Sequence, residues 1–179
     1  AEPEAYASYM GAIAKLEAAG AIIDEIKLPQ SCKGLHASHA VVMAVEGATV
    51  HRANYASRPD TYEPKISAMI ERGLTLGAVE YRSALEHQAQ IRADLELALR
   101  PGGTPALALS PASVTSAPPM SENTTGDAQF NAVWSFSGLP TCGVPAALGA
   151  DGLPVSLQLA APAESFAPFQ AAAWCERVL

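Results

Sequence analysis

No cluster of lysines and arginines occurs anywhere in the 179 residues, and the formal net charge is −7. Binding nucleic acid through its phosphates requires a basic patch, so that partner class is excluded. The same repulsion disfavours anionic membrane surfaces. No apolar run approaches the roughly 20 residues needed to span a bilayer. The opening AEPEAYASYM has neither a basic nor a hydrophobic segment of the kind that directs secretion. Cysteines are few: Cys32, Cys142 and Cys175 are far apart and odd in number. They suit neither a disulfide framework nor a CxxC pair, and a reducing cytoplasm is the expected setting. What remains is a globular composition, 49% hydrophobic and 16% charged, long enough for a single domain over residues 1–179.

The chain begins with an amphipathic pattern over Pro3–Ala19. Pro3 suits a first helical turn, Glu2 and Glu4 suit the positive end of the dipole, and Gly20 suits the stop. Ile13, Leu16 and Ala19 form the expected buried stripe. Ala21–Leu28 then reads as a strand ended by Pro29. A helix, a glycine and a strand make the second half of a βαβ unit. The strand expected before the helix is not in the chain, so a larger fold is expected. His36–His51 predicts a mostly buried helix, Arg52–Pro64 a loop, and Pro64–Arg72 a short helix stopped by Gly73. A long helix over Ala78–Leu99 presents Val79, Leu85, Ile91, Leu95 and Leu99, and Pro101-Gly102-Gly103 ends it. Ala106–Ser110 predicts a short strand and Ala112–Thr125 a Ser/Thr/Pro-rich loop. Phe130–Ser137 reads as a helix turning Phe130, Val133 and Trp134 inward. Thr141–Ala147 and Val155–Ala160 read as strands joined by a turn at Gly149-Ala150-Asp151-Gly152. Phe166–Val178 closes the chain as a helix with Phe169, Ala173 and Trp174 in its stripe.

Several groupings invite a chemical reading. Cys32, His36 and His39 are zinc-type ligands, but their spacing matches no standard finger or HExxH helix, and they read instead as the polar face and entry of a buried helix. Glu46, within an apolar helix, suits either a base with a raised pKa or a paired carboxylate. His87 on the long helix has no carboxylate partner in sequence. Gly102-Gly103-Thr104 lacks the GKS/T ending of a phosphate loop, and no GxSxG elbow or glycine-flanked Ser-Ser pair occurs. The densest polar group is Ser121, Asn123, Thr124, Thr125, Asp127 and Asn131, just ahead of Trp134. These residues suit hydrogen bonding to a polar substrate at a cleft rim, with Trp134 against its apolar part. Asp127 or Thr125 capping the next helix is the other reading. Asp127, Asn131 and Trp134 are the substrate-pocket candidates, and no catalytic residue, metal ligand or cofactor site is assigned.

Phe130 to Gln158 is the most telling stretch. Glycine–proline punctuation recurs at Gly138-Leu139-Pro140, Gly143-Val144-Pro145 and Gly152-Leu153-Pro154, between short apolar runs. Together with Phe130-Asn131, Trp134-Ser135 and Gln158, it resembles the C-terminal core of the amidase signature hydrolases. The resemblance runs over nearly the whole chain: the opening around Leu16, Gly20 and Pro29, Glu46 with His51, Gly73 with Tyr81, and Leu107 to Pro111. Departures fall at Ala106, where family members often carry Asp, and at Gln88, where an Arg is usual. Others fall at Ala146-Ala147 and Ser156. The resemblance implies an α/β fold, with a mixed sheet flanked by helices in an α/β/α arrangement. It also implies hydrolysis of carboxamides without a cofactor, by a Ser-Ser-Lys set that this chain does not carry. The chain is therefore expected to supply scaffold and part of the substrate pocket, to be inactive alone, and to pair with a missing half or with itself. The alternative is a non-catalytic module that associates through an exposed sheet edge.

Overall fold

A computed structural model describes residues 1–179 apart from Asn123, Ala150 and Glu164, and apart from the side chain of Glu4. The chain divides into two compact units. Residues 1–29 and 92–179 form one and residues 30–91 the other.

The first unit is built on a sheet of three strands: β1 (Ala108–Pro111), β2 (Thr141–Leu148) and β3 (Pro154–Ala160). Their order is β1-β3-β2, and both pairings are antiparallel. No parallel pair, as a mixed sheet would contain, is found among the described residues. The glycine–proline punctuation explains the β2–β3 hairpin. Gly152 takes a positive φ of 77°, and the Gly149 N–H donates to Leu153 O at 2.8 Å. Asp151 Oδ1 accepts the Leu153 N–H at 2.9 Å. Ala150, in this turn, lies outside the described residues. Pro145, which has no N–H to give, is tolerated because β2 is an edge strand. The register slips between Pro145 and Ala147, a bulge that turns Ala146 into the core.

One face of this sheet is covered by α1 (Pro3–Ala18) and α6 (Ala167–Val178). Ala12 and Leu16 of α1, Ala172 and Cys175 of α6, and Val144, Leu157 and Leu159 of the sheet share one core. Fully burying a leucine stabilises by about 1.5–3 kcal/mol, so Leu16, Leu157 and Leu159 carry much of it. Tyr9 adds a polar tie: its O–H donates to the Leu109 carbonyl at 3.2 Å. Two expected stripes shift. Ala19 is exposed because the helix ends at Ala18. On α6 the buried positions are Pro168, Ala172 and Cys175, while Ala173 and Phe169 are exposed. Small side chains let the helix approach the sheet, and the bulky ring is turned away.

Ala21–Leu28 is not a strand. The segment is extended, yet no described strand hydrogen-bonds to it. Ile23 touches the core, while Ile22 is 93% exposed and Ile26 and Leu28 are also exposed. Its apolar pattern suits a strand, but a strand needs a neighbour to close its ladder.

The second unit centres on α2 (Leu35–Ser57) and α3 (Pro64–Thr75). The loop expected over Arg52–Pro64 is mostly helix: α2 continues through Asn54 to Ser57, and only Pro59 prevents continuation. Gly73 does not stop α3 but lies buried inside it. A Cβ there would overlap the Ala44 carbonyl oxygen and come within 2.7 Å of the Ala48 Cβ, so glycine sets the closeness of α2 and α3. Ile70, Ala44 and Ala48 are buried beside it. The long helix α4 (Ala78–Ala98) belongs to the second unit as far as the buried Ile91, with Val79 82% exposed; its later part, with buried Leu95 and, just beyond it, Leu99, belongs to the first unit. In the first unit a further helix, α5 (Gln129–Ser137), leads into β2.

Candidate functional site

Asp127, Asn131 and Trp134 lie at and on α5. Asp127 is exposed, and its Oδ1 accepts the Gln129 N–H at 2.9 Å, a local turn that launches the helix. Thr124 Oγ1 similarly accepts the Gly126 N–H at 3.2 Å, whereas Asn123, of the same polar group, lies outside the described residues. Asn131 is half-buried, one turn before Trp134. Trp134 is only 4% exposed and belongs to the interior with Ala132, Val133 and Phe136. The helix ends at Gly138, whose positive φ of 69° closes it through an N–H to Trp134 O at 2.9 Å. Ser137 is buried, and its O–H donates to the same carbonyl at 3.1 Å.

Beyond that end lies a hollow of about 420 Å³. Its wall includes Arg92, Gly138, Pro140, Ser165, Phe166 and Phe169. Gly138 matters twice, because a Cβ there would come within 3.1 Å of the Arg92 guanidinium. Arg92 donates a long 3.4 Å hydrogen bond to the Ser137 carbonyl. A second hollow of about 400 Å³ shares Ala163, Ser165 and Phe166 and is bounded by Arg100. Glu96 holds the intervening loop: its Oε1 accepts the Ala163 N–H at 2.6 Å, and its other oxygen pairs with Arg100 at 3.4 Å. None of Asp127, Asn131 and Trp134 lines either hollow. These hollows have no sequence signal, because they form only where the ends of α4, α5 and α6 meet.

The other candidates resolve locally, within the second unit. Glu46 is exposed and accepts the Tyr81 O–H at 3.2 Å, so it is the paired carboxylate of the two readings. His51 is hydrogen-bonded to the Tyr62 hydroxyl at 3.2 Å, with the two rings edge to face at 5.6 Å. His87 has partners that its sequence context did not suggest. Its Nε2–H donates to the Ser31 carbonyl at 2.7 Å, which leaves Nδ1 to accept the Ser38 O–H at 2.8 Å. Burial, and then the neighbouring His36, push the His39 pKa below the usual histidine range. Among the described residues, no group of three His, Cys, Asp or Glu side chains is placed to hold a metal ion. Nor is any described helix long and apolar enough to cross a membrane.

Helices on a β1-β3-β2 sheet, with the glycine–proline hairpin behind α5, define an α/β protein of the partial amidase signature type. Residues 1–165 match the Amidase family, and the chain belongs to that family. A crystal structure of an amidase is similar at 25% identity and a TM-score of 0.83, covering 98% of this chain and 42% of that one. The 6-aminohexanoate cyclic dimer hydrolase, solved with substrate, is similar at 20% identity and a TM-score of 0.82, covering 99% and 42%. A bacterial aryl acylamidase of the amidase signature family is similar at 17% identity and 0.76, covering 99% and 40%. The last two establish the fold alone. The chain thus spans about two-fifths of the length of these solved relatives. Among curated proteins none matches.

Proposed function

We propose that this chain forms the C-terminal part of an amidase signature domain, supplying core scaffold and part of the substrate-pocket wall for hydrolysis of carboxamide C–N bonds. The observation that carries this reading is the family match over residues 1–165, joined to a fold that coincides with about two-fifths of a solved amidase. Asp127, Asn131 and Trp134 are proposed for the pocket wall. Asn131 and the buried Trp134 lie on the same helix, whose start Asp127 holds through the Gln129 N–H. Bond cleavage itself belongs to a Ser-Ser-Lys set. In such a set an activated serine attacks the carbonyl carbon, forms an acyl-enzyme and releases ammonia or an amine. The sequence has no glycine-flanked Ser-Ser pair, and in this reading the step is left to the rest of the domain. The substrate is a small amide.

The test is a polypeptide that joins this chain to the Gly/Ser-rich segment and lysine of an amidase, assayed for ammonia release from simple amides. Release that disappears when the segment's serine is replaced supports the reading, and a well-folded but inert product counts against it.

A second reading is favoured by the bare extended segment Ala21–Leu28. With Ile22, Ile26 and Leu28 exposed and no strand against its backbone, it offers a template for strand addition by another polypeptide, including a second copy. A strictly monomeric, well-folded species in sedimentation measurements would count against association.

A further inference from the structure

The hollow past the end of α5 lies wholly within the first unit and sets one cation against an apolar wall. The cation is Arg92, an exposed side chain. Its guanidinium carries five N–H donors in a planar fork. Among the described residues Arg92 makes a single hydrogen bond, the 3.4 Å contact from one Nη to the Ser137 carbonyl, and no ion pair. That contact is long for a hydrogen bond, and the other donors are uncommitted. Glu96, one turn further along α4, is already held by the Ala163 N–H and by Arg100. No described acidic side chain lines the hollow. Gly138 keeps the approach to the guanidinium clear, since a Cβ there would come within 3.1 Å of it. The rest of the wall is apolar apart from Ser165. Phe166 and Phe169, three residues apart at the start of α6, are 79% and 57% exposed. Ser165 Oγ accepts the Ala167 N–H at 3.1 Å, which leaves its own hydrogen to donate.

We propose that this hollow binds a small organic monocarboxylate with an apolar body. The carboxylate sits on the Arg92 guanidinium, and the body lies against Phe166 and Phe169. The ligand class follows from the wall. A planar fork of donors matches the two oxygens of a carboxylate. One uncompensated cation matches one negative charge. Arg100, at the neighbouring hollow, is already paired with Glu96, so a doubly charged phosphate finds no second partner. The rings gain by being covered, which a ligand polar on every side does not offer. A volume of about 420 Å³ suits a small molecule. This site is separate from the amidase reading, and its test does not depend on that reading.

The experiment titrates the 179-residue chain, labelled with ¹⁵N, with benzoate, benzamide and benzylamine. The three compounds share a ring and differ in charge. Benzoate alone is expected to give saturable shifts at the Gly138, Ser165, Phe166 and Phe169 amides. Arg92→Gln should weaken its binding about tenfold or more, the worth of a hydrogen bond to a charged group. Arg82→Gln, an equal loss of charge on an exposed pair in the other unit, should leave binding unchanged. Phe166→Ala alters an exposed ring and should weaken binding several-fold, which decides the matter even if Arg92→Gln fails to fold. Glu164, between two lining residues, lies outside the described residues, and Glu164→Gln should bind benzoate as the parent does. Binding that appears only in Glu164→Gln would make Glu164 the partner of the guanidinium and overturn the proposal. It is equally overturned by the same response to all three compounds, by no shift at these amides, by an equal loss in Arg82→Gln, or by unchanged binding in Arg92→Gln or Phe166→Ala.

Discussion

Replacing Gly73 by alanine tests how closely α2 and α3 pack. Alanine is intrinsically better than glycine inside a helix by about 0.8–1 kcal/mol. On an open helix face that gain is realised, and Gly11 in α1 is such a position: it is exposed, and a Cβ there meets nothing within 4 Å. At Gly73 the same methyl group runs into the Ala44 carbonyl and the Ala48 Cβ. A backbone carbonyl cannot rotate out of the way, so α2 and α3 must move apart and loosen the packing around Ile70, which is fully buried. Overpacking of this kind costs about 1–3 kcal/mol, and against backbone the upper part of that range applies. The net expectation is a loss of about 1–2 kcal/mol for Gly73→Ala and a gain of up to about 1 kcal/mol for Gly11→Ala. At about 2–4 °C per kcal/mol for a chain of this size, the two variants should move Tm in opposite directions by several degrees. Urea titration followed by circular dichroism measures both. Faster hydrogen exchange in α2 and α3 should accompany the loss in Gly73→Ala. If both substitutions stabilise alike, α2 and α3 do not approach as described.

Tyr9→Phe removes the hydroxyl that ties α1 to β1 through the Leu109 carbonyl, and should lower stability by about 0.5–1.5 kcal/mol in the same titration. Burial raises the Cys175 thiol pKa, so the folded chain keeps a proton that the unfolded chain loses. Stability from this group is complete below the ordinary thiol range near pH 8.5–9 and declines as pH rises toward the folded value. Cys175→Ala should flatten urea midpoints measured across that window. His39 works in the opposite sense. Its lowered pKa means that stability is complete above about pH 6.5 and declines as pH falls through the folded value, a slope that His39→Gln should reduce.

Local signals were strongest where a short stretch decides its own geometry. Pro3 and Gly20 bracket α1, Gly138 closes α5, and Gly152 with Asp151 turns the β2–β3 hairpin, each by a backbone requirement visible in the residue type. Wherever a distant partner decides, the pattern misled. The apolar rhythm of Ala21–Leu28 is that of a strand, but strand formation depends on a neighbour. Asn54 and Ser57 read as loop residues, yet they sit on exposed positions of α2, where polarity is no obstacle to helix. Gly73 reads as a stop, whereas its absent side chain serves a helix contact that only the three-dimensional arrangement reveals. On α6 Phe169 and Ala173 suggested the buried face, but Ala172 and Cys175 occupy it, with Trp174 packed partly buried against the same core. The candidate site shows the same division. Asp127 was expected as a helix cap, yet Ala128 holds the N-cap of α5 and Asp127 instead accepts the Gln129 N–H from one residue further out. The hollow by Arg92 and Phe166 was not legible, since it arises where separate segments meet.

The most direct test of the central claim is ammonia release from propionamide by the purified 179 residues. The account predicts none above background, because in the proposed function the chain supplies scaffold and pocket wall while the Ser-Ser-Lys set lies elsewhere in the domain. Sustained turnover that is lost when one of the chain's own serines is changed to alanine would contradict it.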